Sequence, residues 1–492
     1  MAMRHGGNSP RLARAAKPPE NSTSQGAVRT VPTAAMRGLT ITARDAFRLV
    51  VAAGFLAMLG ANLPGHLSYD SVAQLSEGHF HHRSTWGPVL YAWILGFFDG
   101  IVPGTALYVV ASGLIFFGGL ASLANLRGKT SWVAVVIVVA VMLTPQVMIY
   151  QAIVWKDVAF ATTAVGGVIC LAHAAKDWAS IRRRGLWLFG AAVLLAVAAQ
   201  VRQNGLIVTM VAAVALGWIA SGGRWRRGVV WTFAGFFAVV ALSQTMTVLS
   251  TPPHTPKSQS GVSTGIHIVQ NYDLIGAVAL DPAYRLHILA KAAPAPAEVI
   301  QSRAKLDYSG RRVDFIDRDP MLSNAFKSIP PEASEAQWID LVTRHTGLYL
   351  KVRWEDFRWV LAPPVIDFCL PIYTGVDAPA NLMEGLGLEH RYVQGDVQLT
   401  NYASWFLDTP VYSHAAYALI SLGLTGLFLL RRQPADIAMA ALQLAGVGFT
   451  ASFFLISIAC DYRYLYFTDL AALVGLVYAA VEFPWRWRKT PA

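Results

Sequence analysis

The sequence has little charge for its size. Only 14% of its 492 residues are Asp, Glu, Lys or Arg, against 54% hydrophobic, and so few ionisable groups cannot cover a water-soluble surface. Cysteine is nearly absent. Cys170, Cys369 and Cys460 form no CxxC and no Cys/His grouping, so their spacing points to neither a structural zinc nor a disulfide framework, and Cys170 reads as helix filler. There is no apolar run near Met1 of the kind a cleavable signal peptide needs. Neither a repeat of fixed period nor the inverted symmetry of many transporters is discernible.

Long apolar stretches are abundant. Ten have about the length needed to cross the hydrocarbon core: Leu49 to Leu67, Thr105 to Asn125, Trp132 to Val154, Val158 to Ala174, Leu186 to Val201, Leu206 to Ala220, Val229 to Leu249, Ala415 to Leu430, Ile437 to Ala459 and Leu465 to Val481. In lipid every backbone polar group must be paired internally, so these are expected to be helices. The expected fold is all-α and polytopic, with about ten transmembrane helices and the lipid bilayer as its solvent. Another apolar stretch, Trp86 to Val102, carries Pro88 near its start and Asp99 near its end, and reads as an interfacial helix. The implied division is a disordered basic tail over residues 1–48, a transmembrane domain over 49–249, a mixed but mainly helical extracytoplasmic domain over 250–410, C-terminal transmembrane helices over 411–484 and a short tail over 485–492.

The formal charge of +11 first suggests nucleic acid, but its placement argues against that partner. Most Lys and Arg sit in short clusters beside apolar stretches, as orientation signals do. With the N-terminal tail in the cytoplasm, the inner turns hold Arg127 and Lys129, then Lys176 with Arg182, Arg183 and Arg184, then Arg224, Arg226 and Arg227, then Arg431 and Arg432. Arg486, Arg488 and Lys489 complete the set at the C-terminus. Both termini are then cytoplasmic, in a multi-pass protein of a plasma or bacterial inner membrane. The short outer connections hold only Arg83, Lys156, Arg202 and Arg463 as exceptions.

Those exceptions mark the candidate site. The first outer connection contains Tyr69-Asp70-Ser71 and then Glu77, His79, His81, His82 and Arg83. A carboxylate just outside a span can act as general base on a sugar hydroxyl when a neighbouring cation keeps it ionised. Asp70 could instead cap a short helix beginning at Ser71, and the histidines could hold a metal. The second connection, Trp155-Lys156-Asp157, reads either as an interfacial anchor with Asp157 as a helix cap or as a second carboxylate facing the same pocket. Arg202-Gln203-Asn204-Gly205 interrupts otherwise continuous apolar sequence, where Arg is costly unless paired. Asp461-Tyr462-Arg463-Tyr464 places another guanidinium among aromatics at headgroup level, suited to bidentate contact with phosphate.

The order of these motifs resembles the glycosyltransferase C superfamily, polytopic enzymes that take sugar from a polyprenyl-phosphate carrier. More narrowly, Tyr69-Asp70-Ser71, His81-His82, Trp155-Lys156-Asp157, Arg202 to Gly205 and Asp461 to Tyr464 are similar to an uncharacterised bacterial branch of membrane glycosyltransferases, although Arg83 stands where that branch tends to have proline. The resemblance implies an inverting transfer from a polyprenyl-phosphate-linked sugar to an extracytoplasmic acceptor. In it Asp70 is the base, Asp157 supports it or binds a divalent metal, the one candidate cofactor, and Lys156, Arg202 and Arg463 bind the donor phosphate. Tyr69, His81, His82, Asn204 and Tyr464 are the accompanying substrate-binding candidates. Two rivals remain at this point. A polysaccharide polymerase or ligase would use groups in the large interval, such as Arg344, His345, Arg353 or Arg358, and a transporter or flippase would place polar residues in broken helices near the midplane.

Overall fold

A computed structural model of the chain describes residues 41–85, 87–252, 261–361, 369 and 371–485, with the backbone alone over 261–264. Most of the 1–48 tail, Trp86 and the terminal Arg486, Arg488 and Lys489 lie outside these residues. The fold is all-α, with isolated β-bridges but no strand among the described residues. Nine described helices are long and apolar enough to cross a membrane, or ten if one bent pair is a single span.

In chain order the first half contains α1 (Ala43–Asn62), α2 (Tyr69–His79), α3 (Val89–Asp99), α4 (Ala106–Ser122), α5 (Trp132–Met142), α6 (Pro145–Met148), α7 (Lys156–Lys176), α8 (Ile181–Val201), α9 (Leu206–Ser221) and α10 (Trp225–Ser250). Helix α1 begins six residues before the apolar run because Thr42 and Asp45 form a reciprocal capping box, which fixes the start by hydrogen bonds rather than hydropathy. The stretch expected as one span from Trp132 to Val154 is broken. A bend of 70° separates Trp132–Met142 from Pro145–Ala152, because Pro145 has no N–H to continue the helix. Helix α3, the expected interfacial element, has 11 residues and is too short to cross. It packs on α2 through Gly78 and Gly96, where a Cβ on either would collide with the other helix's backbone.

Helix α7 is nearly all buried at the centre of the bundle, whereas α10 turns Val230, Phe233, Phe237 and Val248 outward. An apolar helix surface of that extent is stable against lipid, not water. The interval after α10 folds into α11 (Gly261–Leu280), α12 (His287–Ala292), α13 (Pro294–Asp307), α14 (Pro320–Ser328), α15 (Pro331–Arg344), α16 (Thr346–Leu361), α17 (Ala380–Gly385) and α18 (Gln394–Ser404). Helices α11 to α16 bury their own core around Ile275, Ile300, Leu322 and Leu341. Ile372, Val376, Met383 and Leu399 instead join the main bundle core. The chain closes with α19 (His414–Arg431), α20 (Pro434–Ile456) and α21 (Tyr466–Val481).

Candidate active site

Four segments far apart in sequence meet at one end of the bundle, and a short extended stretch sews two of them together. His66 pairs with Ile153 and Leu67 with Val376 in parallel bridges. The His66 N–H donates to the Ala152 carbonyl at 3.0 Å, the Val154 N–H donates to His66 at 3.0 Å, and the Leu67 N–H donates to Gly375 at 2.9 Å. The buried His66 ring accepts the Gly375 N–H on Nδ1 and lies 2.9 Å from Asn62 Oδ1 through Nε2. Burial, with Arg391 nearby and against Asp396, lowers its pKa to about 4, so it is a neutral structural pin. Trp155 Nε1 donates to Ser68 Oγ at 2.8 Å. The loops that carry Asp70 and Asp157 are therefore held in fixed register.

Both carboxylates lie in the first turn of a helix, Asp70 in α2 and Asp157 in α7, where the helix dipole favours negative charge. Neither is the cap. Ser68 and Trp155 occupy the cap positions, and neither makes a side-chain cap bond. Arg463, on a 3-10 turn before α21, donates from Nη1 to Asp70 Oδ2 at 2.7 Å and from Nη2 to Asp461 Oδ2 at 3.4 Å. Its Nε lies 3.9 Å from Asp157 Oδ2. Arg202 extends from the break between α8 and α9 and donates to Asp157 Oδ1. That break needs Gly205, because a Cβ there would come within 2.6 Å of the Ala198 carbonyl.

Aromatic rings frame the cations. Arg463 sits 5.0 Å from the Trp155 ring, and Arg202 lies 5.4 Å from Phe453 and 5.6 Å from Tyr464, all within cation–π range. Asp157 is only 2% exposed, but the Asp70 side chain is 44% exposed. Burial pushes the Asp70 pKa up, yet the charge and hydrogen bond of Arg463, with the charge of half-buried Lys156, outweigh it and hold the carboxyl below its ordinary value. Asp70 is thus an accessible, ionised carboxylate at neutral pH.

The other expected residues divide. Tyr464 lies in the cluster, and Tyr69 is exposed beside Asp70. Asn204 turns away and donates to Ser452 Oγ at 3.1 Å. The histidines lie at the far end of α2, about 14 Å along the helix from Asp70 at 1.5 Å per residue. There His79 bonds Asp99 at 2.6 Å, His81 has a left-handed φ of 52°, and His82 stands 6.2 Å from the Phe80 ring. His81 and His82 line a small crevice with Glu77 and Pro252.

Sequence reasoning missed the contributions around Arg463. Cys369 and Cys460 form a disulfide across 91 residues, against the expectation of none, because a long-range pair leaves no local spacing. Arg312 pairs with Asp461, and Cys460 N–H donates to the Arg311 carbonyl at 3.0 Å. No sequence signal identifies Arg312. Tyr462, adjacent to Arg463, donates to buried Asp469 at 2.5 Å and accepts from Gln146 at 2.8 Å. These ties fix the turn that presents the guanidinium.

A divalent metal does not fit these residues. No group of three or more His, Cys, Asp and Glu is arranged to hold one among the described residues, and the two site carboxylates already face guanidinium groups. A divalent ion about 4 Å from a guanidinium, at an effective dielectric of about 20, would meet a repulsion of about 8 kcal/mol, which cancels the attraction of the carboxylate that the guanidinium holds.

No family model and no curated protein matches the chain. Among solved structures it is similar to the oligosaccharyltransferase AglB from Archaeoglobus fulgidus, at 12% identity in each of three forms. The TM-score is 0.41 for its complex with an inhibitory peptide and a dolichol-phosphate, 0.40 with Zn and sulfate, and 0.42 in the apo form. The matches cover 88% of this chain and 50%, 48% and 50% of that chain, respectively. The chain therefore spans about half the length of the structures it matches, and a likeness this low carries no functional weight.

Proposed function

We propose that the chain is a membrane glycosyltransferase of the glycosyltransferase C type, moving a sugar from a polyprenyl-phosphate donor to an acceptor hydroxyl on the extracytoplasmic face. The observation that carries this reading is the convergence of an accessible ionised carboxylate, Asp70, with Arg202 and Arg463 at one end of an otherwise apolar bundle. The Cys369–Cys460 disulfide at the same end supports an outward orientation, since disulfides persist in oxidising compartments.

In this mechanism Arg463 engages Oδ2 of Asp70 and leaves Oδ1 for the acceptor. The carboxylate takes the acceptor's proton while the hydroxyl oxygen attacks the anomeric carbon from the face opposite the donor phosphate. The bond from that carbon to the phosphate oxygen breaks with its electron pair on the phosphate, and the anomeric configuration inverts. Lys156, Arg202 and Arg463 stabilise the charge that develops there. Asp157, buried and held by Arg202, positions the cations rather than meeting substrate. The polymerase or ligase reading finds less support. Arg353 is fully buried between Asp273 and Asp356, Arg358 pairs with Glu355, and His345 packs on Tyr284.

Transfer from a labelled lipid-phosphate sugar by purified enzyme separates the readings. Asp70→Asn should lower it by about a hundredfold or more, with His345→Ala near the parental rate. Full activity of Asp70→Asn would overturn the proposal.

A further inference from the structure

Asp70 and Asp157 face each other as metal-binding carboxylates commonly do, but the cation between them belongs to the chain. Arg463 reaches Asp70 at 2.7 Å, Asp461 at 3.4 Å and Asp157 at 3.9 Å. Arg202 covers the remaining Asp157 oxygen. The guanidinium is also held in place. It lies within cation–π range of the rings of Trp155 at 5.0 Å and Tyr464 at 5.8 Å, and its turn is tied down by the Cys369–Cys460 disulfide before it and by the Tyr462–Asp469 bond beside it.

We propose that Arg463 is a built-in substitute for a divalent metal: its guanidinium fills the position between Asp70 and Asp157 where a metal ion would otherwise bind, so that transfer needs no added metal. The inference rests on the glycosyltransferase reading and extends it. A metal at such a place would neutralise the two carboxylates and stabilise the leaving phosphate. A guanidinium supplies both effects, with planar donors matched to carboxylate and phosphate, and with a charge that persists at any physiological pH. Because it is covalently attached, a chelator cannot remove it. Its removal, conversely, should uncover Asp70 and the second oxygen of Asp157 while Arg202 still holds the first, which leaves a weak affinity for a hard dication.

The test uses full-length protein in detergent and two readouts. Mn2+ binding, followed by loss of the free-ion EPR signal, should be absent in the parent. It should appear as one site per chain in Arg463→Ala and disappear again in the double variant Asp70→Asn/Arg463→Ala. In the transfer assay the parent should be unchanged by EDTA, and Arg463→Ala should be nearly inactive with chelator but stimulated on the order of tenfold by Mn2+. If Arg463→Ala does not fold, Arg463→Gln replaces it, and the parental measurements stand without either variant. A parental Mn2+ site that Asp70→Asn removes, a parental activity lost to EDTA, or no Mn2+ site in either Arg463 variant would overturn the inference. Should the parent transfer no sugar at all, the functional reading falls while Mn2+ binding still decides the role of Arg463.

Discussion

The two ends of the bundle are built from the same chemistry and differ in access. At the end opposite the site, Arg127 donates to Asp436, Gln433 and the Tyr478 hydroxyl, while Arg431 donates to Glu482 at 2.9 Å and lies 3.5 Å from Asp436. Asp436 and Arg431 have no exposed side-chain surface. At the site end the Arg463 side chain is 18% exposed and that of Asp70 is 44% exposed. Two guanidinium groups facing two carboxylates can therefore be closed off or left open to substrate-sized partners. Charge within a membrane bundle is not by itself a sign of chemistry. What singles out the site is a carboxylate kept ionised by a cation and still reachable from outside.

The contrast breaks most sharply under paired substitutions. Asp436→Asn removes the carboxylate shared by two buried guanidinium groups, and breaking a buried pair in this way costs about 3–5 kcal/mol. It should appear as a large loss of thermal stability and yield. Asp70→Asn should leave both near normal because its side chain is partly exposed. If thermal unfolding in detergent showed Asp70→Asn to be as destabilised as Asp436→Asn, the site end would be a structural lock as well.

Arg202→Ala sharpens the same comparison within the site. It should lower transfer by roughly a hundredfold through lost phosphate stabilisation, and it should also destabilise the fold, because buried Asp157 loses its closest partner. Lysine at this position should restore part of the stability but less of the transfer rate, since it lacks the planar fork. Equal recovery of both quantities would show that Arg202 serves Asp157 alone.

The sequence made these ends unequally legible. Apolar runs marked the spans apart from the break before Pro145, and charges interrupting them drew attention to Asp70, Asp157, Arg202 and Arg463, which the structure brings together, because an ionisable group at a span end is conspicuous against apolar neighbours. Arg127 and Arg431 were just as visible, but they read only as orientation signals. Arg127 pairs with Asp436 309 positions away and Arg431 with Glu482 51 positions away, so neither pairing leaves a local pattern. The same holds for Arg312 with Asp461 and for the disulfide. The opposite case is His81 and His82. Density of ionisable residues along the chain suggested one site, yet a rigid helix of 11 residues carries that density away from Asp70.

A smaller effect is expected in the interval between α10 and α19. Arg353 lies 2.5 Å from Asp273 and 2.7 Å from Asp356, all three fully buried, and also donates to the carbonyls of Leu455 and Ser457 at 3.2 Å. One guanidinium cannot balance two carboxylates. Burial, opposed by Arg353, pushes Asp273 up to about 6 and Asp356 up to about 7, and the pair titrates as a unit. Because these pKa values are raised on folding, the stability they contribute is present below the ordinary carboxylate value near 3.8 and is lost as pH rises through about 6 to 7. Thermal stability should therefore fall between pH 5 and pH 8, and Asp273→Asn should flatten the slope. A rising slope would contradict the burial of an excess negative charge.

The smallest effect should come from the histidines, and it tests how far the site extends. His81 and His82 are exposed, nine or more residues beyond the Asp70 turn, so neither reaches the Asp70–Arg463 cluster without unwinding α2. That helix is fixed against α3 by the Gly78–Gly96 crossing and by the bond from His79 to Asp99. Surface substitutions away from such features usually change stability by about 0.5 kcal/mol or less. The double variant His81→Ala/His82→Ala should therefore fold normally and keep its rate with the donor to within about threefold, well below the hundredfold scale of a lost acid–base group. A rise in acceptor KM at unchanged kcat would instead place these residues on the path of a long acceptor that extends from Asp70 along α2. A fall in kcat comparable to that of Asp70→Asn would mean that the catalytic cluster reaches the far end of this helix, and the contrast between an open site and a closed lock would have to be redrawn around it.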